Sequence, residues 1–178
     1  MRKVADHTPV IRTLYVVGVA IGVLAGFANA HLDVNMSFGA SLFAWLLSSI
    51  IVVVALHEGT HGLVAALLGH KPLFGLKLPL VYITFTGKLP RGHYLLVAMA
   101  PFVLLNFLFG FLYARGVLKL FCDLGLIINS IGSLGDIWAV LKLIGAPKGA
   151  WIQDTKGGFE IWVPEEGNKA DLAGLKEV

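Results

Sequence analysis

Charge is what this chain has least of. Of its 178 residues only 14% are Asp, Glu, Lys or Arg, against 57% hydrophobic, and mean hydropathy is +0.80. Soluble domains carry about 25% charged residues, so the composition excludes an ordinary water-soluble globule and points to an integral membrane protein. Cysteine is nearly absent as well: Cys122 stands alone, which excludes an internal disulfide and leaves the redox compartment open. The excess of positive charge is small, +3, and the basic residues are scattered over loops, so no nucleic-acid partner is expected.

Long apolar runs are what the chain has instead. Four of them, at about 10–30, 38–68, 93–114 and 117–144, approach or exceed the ~20 residues that cross ~30 Å of hydrocarbon. Backbone groups in lipid must be satisfied within their own segment, so helices are expected. The first run has a rival reading as a signal peptide, with Met1 to Arg12 as the basic region and Ala28-Asn29-Ala30 as the cleavage site. Counting Lys and Arg, Arg2, Lys3, Arg12, Lys71, Lys77, Lys88, Arg91, Lys142, Lys148, Lys156, Lys169 and Lys176 fall on one side of the spans, and only Arg115 and Lys119 on the other. Twelve against two sets both termini in the cytoplasm.

Between the second and third runs, 80–86 is β-branched and aromatic, follows Pro79 and ends at Gly87-Lys88, which predicts a strand pairing with 76–78. Residues 151–163, centred on Lys156-Gly157-Gly158, predict a second hairpin at the cytoplasmic interface, and 168–178 a short helix. The fold class that follows is an all-α multi-pass membrane protein of about four transmembrane helices, with a small β-hairpin between helices 2 and 3 and a short cytoplasmic C-terminal hairpin. Two regions are expected, 1–145 as the membrane-embedded core and 146–178 as a cytoplasmic tail.

Inside the second run stands His57-Glu58-Gly59-Thr60-His61. Positions i and i+4 of a helix share a face, so the two imidazoles converge on one ion. Glu58 lies about 100° round the helix from His57, placed to act on a water rather than to bind the ion. That is the pattern of a zinc hydrolase with a glutamate general base. Ionisable groups at membrane depth cost at least ~2.5 kcal/mol and are kept mainly where they are used. Gly59 and Gly62 leave room for another helix or a substrate backbone to approach. His70, after the expected helix cap Gly69, reads as a helix-end histidine, and His93 lies at the cytoplasmic mouth.

A third ligand is sought among few groups. Glu58, Asp123 and Asp136 are the acidic residues of the apolar runs. Asp123 has Lys119 one turn before it, whereas Asp136 has no such neighbour and lies about as deep as His57. His93 remains the alternative ligand. Asn129 is seven residues before Asp136 and so on nearly the same face. Asn106, in the Pro101 helix, reads first as a tie between helices. The strand with Tyr82 and Thr84 offers an edge that could present an extended peptide for cleavage. Asn129, Tyr82, Thr84 and Asn106 are therefore the candidate substrate contacts.

With His57-Glu58-Gly59-Thr60-His61 on one membrane helix and Asn129-Ser130-Ile131-Gly132-Ser133-Leu134-Gly135-Asp136 on a later one, residues 38–144 resemble the site-2 protease clan of intramembrane zinc metalloproteases, and more narrowly a compact group of zincin-type peptidases within or near it. The resemblance implies Zn²⁺ held by His57, His61 and Asp136, Glu58 activating the water, a site near the cytoplasmic face, and a membrane protein or peptide as substrate. Ser130 and Ile137 depart from it, standing where the clan carries proline after the asparagine and glycine after the aspartate. Two other classes stay open: a metal-binding or transport protein, which would show polar positions along several spans, and a catalytically silent scaffold, which would tolerate Gln at position 58.

Overall fold

The computed structural model describes residues 1–6, 40–77, 80–155 and 158–164. The expected first span, and the short helix at 168–178, lie outside the described residues. In chain order the described elements are β1 (Arg2–Asp6), α1 (Ala40–Leu67), β2 (Pro72–Lys77), β3 (Leu80–Phe85), β4 (Leu89–Pro90), α2 (Arg91–Ala114), α3 (Lys119–Gly132), α4 (Leu134–Ile144), β5 (Trp151–Thr155) and β6 (Gly158–Val163). The architecture is mostly helical with two small antiparallel sheets.

Two helices are long and apolar enough to cross a membrane, Trp45–Leu67 within α1 and Arg91–Ala114, and a third crossing results if α3 and α4 are counted as one bent span. The outside of these helices is apolar too. Leu67 is 77% exposed and Phe107 75% exposed, a distribution suited to lipid rather than water. In α1 the single charged residue is Glu58.

The fourth expected run is not one straight helix. It breaks at Ser133 into α3 and α4, bent by 43°. At the break the Ser133 hydroxyl donates to the carbonyl of Asn129 four residues back, at 2.8 Å, a bond also made by Ser49 and Thr60 within the unbroken α1. The bend carries Asp136 into the first turn of α4.

The first hairpin forms with a longer partner than the expected 76–78: β2 runs over Pro72–Lys77 against β3, with Phe74 opposite Ile83 and Gly75 opposite Tyr82, while residue 78 lies outside the described residues. The hairpin lies against α1 at Gly62, where a Cβ would stand 2.9 Å from Ile83 Cδ1, so that glycine admits the strand. Gly59, by contrast, has no atom within 4 Å of a Cβ position, so no described residue packs closely there. Gly69, at φ +82°, ends α1 as predicted, and His70 N–H reaches back to the Ala65 carbonyl.

The second hairpin, β5 with β6, is more than an appended pair. It is the centre of a four-stranded sheet ordered β1-β6-β5-β4. β1 pairs through Arg2 with Val163 and Asp6 with Glu160, supported by a 2.7 Å Lys3–Glu160 ion pair. Ile152, Phe159 and Ile161 bury their side chains with Leu89, Tyr94, Val97, Ala139 and Leu143, forming a core at the sheet end of the helices. A second core, Val53, Leu105, Phe109 and Cys122, lies further along the helices. Arg91 joins sheet end to helix end. Its Nε and Nη2 donate to the carbonyls of Leu143 and Ile144, satisfying the end of α4.

Candidate metal centre

Between those two cores on α1, after Val53 and before Ala65, sit His57 and His61. One turn apart, they bring their Nε2 atoms to 3.2 Å. Asp136 Oδ2 meets both, 3.3 Å from His57 Nε2 and 3.5 Å from His61 Nε2. Each of the three offers one ligand atom, all within 4.8 Å of one another. Helices α1 and α4 thus bring together the three residues that spacing and depth singled out. His93, the alternative third ligand, and Asp123 lie outside it.

The other nitrogen of each imidazole fixes its tautomer. His61 Nδ1 is 2.8 Å from the Val97 carbonyl, which can only accept, so Nδ1 carries the hydrogen. That carbonyl is free for a reason written in the sequence. Helical bonding would pair it with the N–H of residue 101, and Pro101 has none. His57 Nδ1 is 2.9 Å from Asn129 Oδ1. The Asn129 amide is oriented by its own partners: Nδ2 donates to the Pro101 carbonyl at 3.1 Å and to Asn106 Oδ1 at 3.0 Å, leaving Oδ1 to accept from His57. Both Nε2 atoms therefore turn lone pairs inward.

With both rings neutral, two lone pairs and a carboxylate oxygen then face each other. Asp136 Oδ2 is buried, and the polar atoms it approaches are those two Nε2 nitrogens. Three acceptors at 3.2–3.5 Å repel unless a proton or a metal cation lies among them. Two imidazoles and one carboxylate with a position left open are the donor set of a catalytic zinc site. These residues fit the ion.

Glu58, 8% exposed, points elsewhere. Its Oε2 accepts the Ile83 N–H of β3 at 2.9 Å. Since β2 occupies the other edge of β3, this amide belongs to the open edge, beside the cluster. Of the candidate substrate contacts, Tyr82 is the neighbour of Ile83 on that strand, opposite Gly75. Thr84 follows it, and its hydroxyl donates to the Asp154 carboxyl of β5. Asn129 is 1% exposed and holds His57. Asn106 bridges α2 and α3, accepting from Asn129 and donating to Ser130 Oγ at 3.2 Å.

Asp154 is a group that sequence reasoning passed over. Burial pushes its carboxyl up to about 8, opposed by His61 and by the Thr84 hydrogen bond and reinforced by the charges of Asp136 and Glu58. The signal was present in strand alternation, since Asp154 follows the buried Ile152 by two residues and shares its face. Val97 was missed also. A backbone carbonyl leaves no mark at its own position, only at Pro101.

The profile of the family described as "Putative zincin peptidase" matches residues 50–151, 102 of the 178 residues. This chain belongs to that family. The zincin match spans α1 from Ile50 through the start of β5 and so includes every residue of the cluster. Membership points to metallopeptidase chemistry, implies zinc, and agrees with the donor set just described. A relative from Pyrococcus woesei, "Uncharacterized 24.7 kDa protein in gap 5'region", is 28% identical over 142 residues, or 77% of this zincin-family chain. The match spans 62% of that relative's length. No solved structure matches.

Proposed function

We propose that this chain is an intramembrane zinc metallopeptidase of the site-2 protease kind, cutting peptide bonds of membrane-associated substrates near the cytoplasmic face. The observation that carries the reading is the convergence of two oriented imidazoles and a buried carboxylate oxygen, with Glu58 next to His57, on helices apolar enough to lie in a bilayer. His57, His61 and Asp136 would hold the ion. Bound zinc supplies a Lewis acid that polarises the scissile carbonyl and acidifies the attacking water.

Glu58 is the general base: its carboxylate takes the proton of that water and delivers it to the leaving amine. In the free protein Ile83 N–H holds one of its oxygens, leaving the other to act. The open edge of β3 is the place where an extended substrate pairs, with Tyr82 and Thr84 beside it. A substrate carbonyl taking the Ile83 N–H would release Glu58 toward the water. Asn129 and Asn106 serve the substrate indirectly, by orienting His57. The charge asymmetry supports both termini in the cytoplasm, which puts the sheet there and the cluster one helix turn or two inside.

Polar groups gathered at one depth favour hydrolysis over transport, which would spread them along several spans. The test is purified protein assayed for bound zinc and for cleavage of a membrane-inserted substrate, as wild type and as Glu58→Gln. Zinc retained with turnover reduced about 10²–10⁴-fold is expected for loss of a general base. Undiminished cleavage by the variant overturns the mechanism.

A further inference from the structure

The chain holds a second pair of histidines built like the first. His70 Nε2 and His93 Nδ1 are 2.8 Å apart, with ring centroids at 5.1 Å and planes at 70°. In the candidate centre the corresponding values are 3.2 Å, 4.9 Å and 81°. Both rings are partly buried, so each keeps a side open to water. Two imidazole nitrogens on a tetrahedral zinc lie about 3.3 Å apart, given metal–nitrogen bonds of about 2.05 Å. A widening of half an ångström separates the hydrogen-bonded pair from a chelating one.

The pair also has a position that gives binding a consequence. His70 immediately follows the turn that ends α1, and His93 lies in the first turn of α2. Everything between them is the excursion that carries β2, β3 and β4, including the Ile83 amide that holds Glu58. The two side chains thus meet across the base of that excursion. They are distinct from the first centre: His70 lies beyond the end of α1, and neither it nor His93 belongs to the His57, His61 and Asp136 group.

We propose that His70 and His93 form a second transition-metal site that clasps the two ends of the β segment between α1 and α2. The ion is of the imidazole-binding class, Zn²⁺, Ni²⁺ or Cu²⁺. Water completes its coordination, since no acidic residue joins the pair into a three-ligand group among the described residues. With two protein ligands in place of three and no carboxylate, the site is the weaker of the two. None of its groups belongs to the first centre, so it stands whether or not the peptidase reading does.

The test is zinc titration of chelator-stripped protein in detergent micelles, in competition with a chromophoric chelator. Wild type should take two equivalents, the second more weakly. The double variant His70→Ala/His93→Ala should lose the second and keep the first, and that retained equivalent reports a folded protein. His93→Gln alone should show the same loss if the double variant fails to fold. Amide exchange over residues 72–85 should slow when the second equivalent binds to wild type. A His93→Gln protein that takes as many equivalents as wild type, with the same affinities, overturns the site. Exchange indifferent to the second equivalent overturns the clasp.

Discussion

The two histidine pairs of this protein have nearly the same geometry and quite different surroundings. His57 and His61 each give their second nitrogen to a fixed acceptor, Asn129 Oδ1 and the Val97 carbonyl, and both face Asp136. His70 and His93 face each other, and no carboxylate joins them in a three-ligand cluster among the described residues. The first pair lies on one helix with i,i+4 spacing, so its convergence is local and rigid. The second joins two elements, so its convergence depends on how the intervening β segment sits. A pair of imidazoles is therefore a starting point. Orientation of the outward nitrogen and an added negative ligand turn it into a centre able to hold a dication while leaving a position open.

Removing the added ligand should break the comparison most severely. Asp136→Ala reduces the first pair to a two-histidine site, and its zinc affinity should fall strongly with hydrolysis abolished. Asp123→Ala, outside the cluster, should leave both largely intact. Metal analysis of the two variants side by side after a mild chelator wash decides the matter. Should Asp136→Ala hold zinc as firmly as wild type, the carboxylate is no ligand.

A smaller effect tests the outward nitrogens. Asn129→Ala leaves His57 free to turn or to change tautomer, and loss of such a partner typically costs 10–100-fold in metal affinity. Pro101→Ala restores an N–H to the Val97 carbonyl, which His61 must then share. A loss smaller than that of Asn129→Ala is expected, because a carbonyl has two lone pairs and can accept twice. Zinc affinities measured by chelator competition rank the two. Equal affinities in wild type and both variants would mean that the rings are held by packing alone.

The sequence carried the local parts of this arrangement and hid the distant ones. His57, Glu58 and His61 were legible because a helix repeats every 3.6 residues and their spacing lies within one turn. Asp136 was legible by elimination, since apolar spans contain few acids. The break at Ser133 was not, because a serine is equally at home within a helix, as Ser49 is in α1, and only the packing of the two halves shows the 43° bend. Both hairpins announced themselves through β-branched and aromatic residues, although the first pairs over 72–77 rather than 76–78. The sheet around the second did not, because pairing Arg2 with Val163 joins residues from the two ends of the chain, where no periodicity operates. Asp154 followed the sheet into obscurity: its closeness to the centre depends on β5 lying beside β3.

That same closeness supplies the smallest and most easily isolated effect. Asp154 belongs to the surroundings of the first pair, and its carboxyl titrates near 8 in the folded protein against an ordinary value of 3.8. Between about pH 4 and pH 8 the folded state therefore binds a proton that the unfolded chain has lost. The sign follows: this group makes stability fall as pH rises through that window, and its effect levels off below the lower value and above the upper. One full proton corresponds to a slope of at most about 1.4 kcal/mol per pH unit, and partial exposure of the side chain lowers it. Asp154→Asn mimics the protonated acid and still accepts from Thr84. Its melting temperature in detergent should match wild type at or below about pH 4 and exceed it by a margin that grows up to about pH 8. Melts that differ by the same amount at every pH would show that Asp154 stays ionised throughout, in contact with water rather than enclosed beside His61.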